Sequence, residues 1–194
     1  MSGVFYCIEG ELTDALRWLL ERGADPNIQD THQRSPVFIA TEHNHPDTIR
    51  CLVLECGADV DKPNKTGRSP IHWAAELGWA ECVLALGRDC GAKVDAPCLQ
   101  GWAPIHVAAR DGHAHVVLAL AKECGSNVDV PTRSSAIAVP AVPCGWTARD
   151  IAKHRKHDHV RSLRRENWQS KQPKPANIDY HREKQESDIH KLLP

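Results

Sequence analysis

An all-α solenoid, built from stacked helix-turn-helix units with extended finger loops, is the fold this sequence predicts, and three observations predict it. Gly23, Gly57, Gly91 and Gly125 recur at intervals of 34 residues. Pro36, Pro70 and Pro104 keep the same interval. Each of those glycines opens a related string, namely GADPN, GADVD, GAKVD and GSNVD. Independent columns that share one period of this size mark a repeat architecture, in which each unit buries its apolar face only by stacking on its neighbours.

The period divides the chain into units 1–27, 28–61, 62–95, 96–129 and 130–168, followed by a tail, 169–194. The first unit has no proline string. Residues 1–9 stand in its place, and GELTDALRWLLERGADPN supplies its second helix, as expected of an N-terminal cap. In the next three units Ser35, Ser69 and Ala103 precede proline at the first helical position, where the missing N–H costs nothing. A first helix follows with small residues at its centre (Ala40, Ala74 and Ala75, Ala108 and Ala109), which lets neighbouring helices approach. Asn44, Gly78 and Gly112 tolerate left-handed geometry and end it. The second helix carries Ile49/Leu52/Val53, Val83/Leu84/Leu86 and Val117/Leu118/Leu120 as its buried stripe, and Gly57, Gly91 and Gly125 close it.

These strings resemble the ankyrin repeat. SPIHWAA, APIHVAARDGH and CGADVD match the family's TPLHxAA, GH and GADVN, over residues from about 10 to about 166. One departure is uniform. Ankyrin units usually run about 33 residues, and these run 34. The surplus falls between Gly112 and Gly125 and their counterparts, so one more residue is expected at the end of every second helix. The resemblance assigns His72 and His106 a structural role, hydrogen-bonding backbone around the turns. Phe38 replaces that histidine in the second unit, where a weaker local network is expected.

The fifth unit reads GWTARDIAKHRKHDHVRSLRR, with Thr147 and Ala148 standing where Ser69 and Pro70 stand. The step from Asp129 to Gly145 is sixteen residues against six from Asp95 to Gly101, so ten residues are inserted within VPTRSSAIAVPAVPC. Lengthening a loop this way costs only about 0.9 kcal/mol by its closure entropy, which the fold tolerates. The tail is polar and Pro-interrupted and is expected to be disordered.

Composition narrows the function. Lys and Arg number 24 against 25 Asp and Glu, yet residues 149–194 hold 12 against 7, leaving 12 against 18 for residues 1–148. The chain is thus an acidic array with a basic end. No run reaches the roughly 18 apolar residues of a membrane span. The N-terminal segment carries acids where a secretory signal has a basic start, so the cytosol or nucleus is the expected location. The eight cysteines are then expected to be thiols.

Catalytic and metal chemistry find no foothold. There is no GxSxG, phosphate-cradling glycine loop, HExxH or CxxC. Cys56, Cys90 and Cys124 share one column on neighbouring helices. Helices packed about 8–10 Å apart hold such thiols too far apart for a disulfide or one tetrahedral zinc, so small buried packers are expected. His157 and His159 fall in the columns of His113 and His115 and are explained by the repeat. No catalytic residue, metal site or cofactor is therefore assigned.

What the scaffold leaves unexplained is its surface. The resemblance implies that fingertips and first helices line a concave groove that binds a protein segment. The second unit contributes Arg34 and His43, and the third Lys65, Arg68, Glu76 and Leu77. The fourth contributes Leu99, Gln100, Trp102, Arg110 and Asp111, and the fifth Trp146, His154 and Arg155. One column runs Arg34, Arg68, Trp102, Trp146, residue types enriched among interface hot spots. The expected function is a non-catalytic interaction module or adaptor for a protein partner. The alternative is a basic-ended adaptor that contacts nucleic acid or an anionic surface through residues 153–165, although the sequence holds no recognisable nucleic-acid reading element.

Overall fold

Each proline of the 34-residue column opens a helix. A computed structural model describes residues 3–133 and 144–163. The expected finger enlargement, for residues 134–143, and the tail at 169–194 lie outside the described residues, as does the end of the fifth unit beyond 163. The first helices of the five units are α1 (Gly3–Glu9), α3 (Pro36–Glu42), α5 (Pro70–Leu77), α7 (Pro104–Asp111) and α9 (Ala148–His154). The second helices are α2 (Thr13–Glu21), α4 (Pro46–Arg50), α6 (Ala80–Leu84), α8 (Ala114–Leu118) and α10 (Asp158–Arg161). No strand occurs among the described residues.

The first helices pack in series, α1 on α3, α3 on α5, α5 on α7 and α7 on α9. Ala40, Ala74, Ala75, Ala108 and Ala109 lie in this row with no solvent exposure, and their small side chains set the close spacing. Ile49, Leu52, Val83, Leu86, Val117 and Leu120 fill the space towards the second helices in one continuous core. Each such residue, fully buried, stabilises the stack by roughly 1.5–3 kcal/mol.

The surplus residue does not lengthen the end of each second helix as a simple extra step. It widens the helix. After α4, α6 and α8 the chain continues as π-helical segments, Cys51–Glu55, Ala85–Asp89 and Ala119–Glu123. Their turns close with bonds five residues back, from Cys56, Cys90 and Cys124 N–H to the Cys51, Ala85 and Ala119 carbonyls at 3.2, 2.9 and 3.1 Å. A single inserted residue is accommodated in this way because the i→i+5 turn absorbs it without rotating the flanking residues off the buried stripe. The expectation that every unit carries it is corrected by the first. From the left-handed Glu11 to Gly23 is twelve steps rather than thirteen, and α2 there is α-helical throughout Thr13–Glu21.

Extended fingers connect the units as narrow hairpins. Cys98 N–H donates to the Trp102 carbonyl at 3.0 Å, and Asn64 N–H to that of Arg68 at 2.9 Å. The fourth junction closes on the same pairing despite its ten inserted residues. Thr132 N–H donates to the Trp146 carbonyl at 2.8 Å, and Trp146 N–H to Thr132 Oγ1 at 3.0 Å. Successive fingers are tied together where Arg133 N–H meets the Gly101 carbonyl at 2.9 Å. Gly101 has φ +77, and a Cβ there would lie 2.1 Å from the Arg133 carbonyl oxygen, so only glycine fits. At the base of the units, Asn27, Asp61 and Asp95 side chains accept from the N–H groups of Asp59, Lys93 and Asn127 one unit on, which is what the fifth letter of each GADPN, GADVD or GAKVD string does.

Two histidine ladders finish the scaffold. His72 Nε2 bonds the Trp102 carbonyl at 3.0 Å and His106 Nε2 the Val130 carbonyl at 2.8 Å, linking each first helix to the next finger. Burial pushes the His72 imidazole down to about 4 and lowers that of His106, so both are neutral crosslinks at physiological pH. Phe38, at this position in the second unit, packs on Trp73 with ring centroids 5.6 Å apart and provides no such crosslink. The second ladder reaches backwards. His113 and His157 Nε2 meet the Glu76 and Arg110 carbonyls at 2.9 and 2.8 Å, and His115 Nε2 meets that of Gly78 at 2.8 Å. His159 Nε2 makes the same contact with Gly112, at 2.5 Å. These carbonyls lie at the C-terminal ends of the preceding first helices, where no intrahelical donor is left for them. Cys56, Cys90 and Cys124 are half-buried rather than fully buried, and all eight cysteines are free thiols. Burial raises Cys124 to about 12 and Cys90 to about 11.

Candidate interaction groove

The column Arg34, Arg68, Trp102, Trp146 is answered, in every unit, by the residue eight positions on. The Arg34 guanidinium pairs with the Glu42 carboxylate, and Arg68 with Glu76. In the fourth unit the order of charge reverses, and the Arg110 guanidinium stands 5.5 Å from the centre of the Trp102 ring. In the fifth, His154 meets Trp146 edge-on with centroids 5.1 Å apart. Finger and first helix are thereby braced against each other within each unit. The chain makes this possible because the finger turns back just before the proline that starts the helix, so the helix's last turn rises beside it.

Between the third and fourth units these braces merge. Glu76 Oε1 accepts from Arg110 Nη2 at 3.0 Å while its other oxygen holds Arg68. Arg68 Nη2 also donates to Gln100 Oε1 at 3.1 Å, and Arg110 chelates Asp111 with bonds of 2.8 and 2.6 Å. Hydrogen bonding to Asp111, with the charges of Asp111 and Glu76, raises the Arg110 guanidinium above its ordinary value against its burial. In the second unit burial opposes ionisation of Asp30, but bonds from the Arg34 and His32 N–H groups and the Arg34 side chain hold its carboxyl below the ordinary range.

Of the residues expected in the groove, His43, Lys65, Leu77, Leu99, His154 and Arg155 are exposed. Arg34, Arg68, Glu76, Gln100, Arg110, Asp111 and Trp146 are half-buried. Trp102 is 7% exposed and packs with Cys98 and Val107 beneath Arg110, so the indole braces its own finger. The sequence pattern cannot separate these roles, because a finger tryptophan has the same letter whichever way its ring turns. The large apolar side chains that do face solvent in the groove set are Leu99, 52% exposed, and Leu77, 38% exposed. Leu99 also lies over the preceding finger, where a Cβ on Gly67 would come within 2.4 Å of its side chain.

One feature escaped sequence reasoning. A cavity of about 450 Å³ opens beneath the first finger, bordered by Phe5, Glu9, Ile28, Asp30, Arg34 and Ile39. Treating the first unit only as a cap hid it. Among the described residues no group of three or more His, Cys, Asp or Glu is placed to hold a metal ion, and no helix is long and apolar enough to cross a membrane.

Compared with known families, the chain matches the sequence model described as ankyrin repeats (3 copies) in two overlapping stretches, residues 4–98 and 37–134. No curated protein matches it.

Proposed function

The chain belongs to the ankyrin-repeat family, and from that premise we propose that it is a non-catalytic adaptor whose concave groove binds a segment of a protein partner. Ankyrin repeats are generally protein–protein interaction modules. The observation that carries the reading for this chain is the network around Glu76. Arg68, Glu76, Gln100, Arg110 and Asp111 already satisfy one another across two units. A wall of this kind is set before a partner arrives, so binding loses less side-chain freedom. Leu77 and Leu99 supply apolar contact in the same two units, and Lys65, beside His32 at 3.2 Å, supplies charge at the fingertip.

The test is affinity capture with the wild type beside a Leu77→Asp/Leu99→Asp variant. Both side chains face solvent, so the helical circular dichroism should be retained while the captured partner is lost. Capture that is unchanged in the variant overturns the reading. A partner released steeply by salt but indifferent to the two leucines would favour the basic end at residues 153–165 instead.

A further inference from the structure

The two ends of the stack are finished differently. Contacts between units show which columns face the preceding unit. Trp73 lies against Phe38, His113 reaches Glu76, and Arg17 Nη2 reaches Cys51 Sγ at 3.9 Å. The first-unit members of those three columns are Tyr6, Leu12 and Trp18, and they are 67%, 48% and 53% exposed. In later units the Tyr6 column holds Ile39 and Val107, 3% and 1% exposed, and the Trp18 column holds Cys51 and Ala85, 4% and 0% exposed. The N-terminal end therefore presents a stacking face with large apolar side chains still in place. Acids surround it: residues 1–27 hold five Asp or Glu against two Arg.

At the other end two columns that are buried in every earlier unit carry exposed basic residues. Ile8, Thr41, Ala75 and Ala109, all fully buried, give way to exposed Lys153. Leu16, Ile49, Val83 and Val117 give way to exposed Arg161. Residues 144–163 hold five Lys or Arg against two Asp, the mirror image of the first unit.

The register between units says what would meet if one end were set on the other. His115 and His159 touch the left-handed turn residues Gly78 and Gly112 of the unit before. Their first-unit counterpart is Asp14, fully exposed, and the fifth-unit turn residue is Lys156. Carboxylate would face ammonium. Arg110 meets Glu76 in its own column, and there Glu9 would face His154. By the contacts of Phe38 with Trp73 and of Arg17 with Cys51, Tyr6 and Trp18 would lie beside Asp150 and Ser162, with exposed Lys153 one helical turn and exposed Arg161 one residue away; Arg22 already sits 4.1 Å from the Trp18 ring centre, a geometry in which cations are attracted.

We propose that the N-terminal face formed by Tyr6, Leu12 and Trp18 docks the basic C-terminal end of a second copy of this chain, so that copies join head to tail and continue the solenoid. Such a contact is heterologous and grows as an open series of sizes. It needs no partner in the groove, although Glu9 and His154 would continue the groove's Glu76–Arg110 column across the joint.

Sedimentation velocity of the full chain, from micromolar to submillimolar concentration, tests this. At low salt the average mass should climb with concentration past that of a dimer, and about 1 M salt, where screening acts within about 3 Å, should reverse most of it. Tyr6→Ser/Trp18→Ser and Lys153→Glu/Lys156→Glu variants should each remain monomeric, since all four side chains are exposed and folding is retained. Mixed together, the two variants should form a discrete dimer containing one of each, because each keeps one working end. A wild type that stays monomeric throughout overturns the proposal. So does a charge-reversed variant that dimerises alone, which would mean that the apolar faces meet head to head.

Discussion

Arg110 and Glu76 stand 34 residues apart in sequence and 3.0 Å apart in space, joined across the boundary between the third and fourth units. Both are less than a third exposed, at 18% and 26%, so solvent screens this pair less than a surface ion pair. A double-mutant cycle with Glu76→Gln and Arg110→Met should return a coupling of about 0.5–2 kcal/mol. The check is chemical denaturation of the four proteins. A coupling of zero would mean that the ladder of braces contributes nothing between units.

Trp102→Ala should destabilise the stack by about 3 kcal/mol, the cost of emptying a buried aromatic site, because the ring is 7% exposed and lies under Arg110. Leu99→Ala, at a side chain half in solvent, should cost far less. Equal shifts in denaturation midpoint for the two would contradict the placement of the indole.

Acid should weaken the fold through His72. Its imidazole is pushed from 6.5 down to about 4 by burial, so the folded state favours the neutral ring. That stability is fully present above pH 6.5 and is lost as pH falls towards 4, because the unfolded chain takes up the proton first. Over this window the loss from His72 alone is about 3 kcal/mol. Thermal melts between pH 7 and pH 4 should show it, with a shallower slope in His72→Gln than in the wild type.

Deleting Arg88, an exposed residue in the π-helical segment Ala85–Asp89, should give a chain that still melts cooperatively. The first unit already runs with the shorter spacing and an unbroken α-helix. Loss of a cooperative transition would show that the widened turn is needed for stacking.

Much of the scaffold was readable in the letters. Pro36, Pro70 and Pro104 announce helix starts, Gly78 and Gly112 announce helix ends, and both prove so, the latter two with φ +77 and +82. These residues act locally: a ring fixes φ, or a missing Cβ frees it, whatever the surroundings. The groove was readable only as a set of positions. Arg34, Arg68, Trp102 and Trp146 share a column, yet the first three are anchored by Glu42, Glu76 and Arg110, and how far each faces solvent depends on that partner.

By itself the sequence determined the repeat, its phase and the class of fold, because periodic apolar stripes and turn residues carry their own geometry. Only the tertiary structure decided that the surplus residue becomes a π turn, that Trp102 is buried while Leu99 is exposed, and that Glu76 joins Arg68 to Arg110. Those outcomes depend on which side chains meet across units, and contacts between residues 34 apart are settled by stacking.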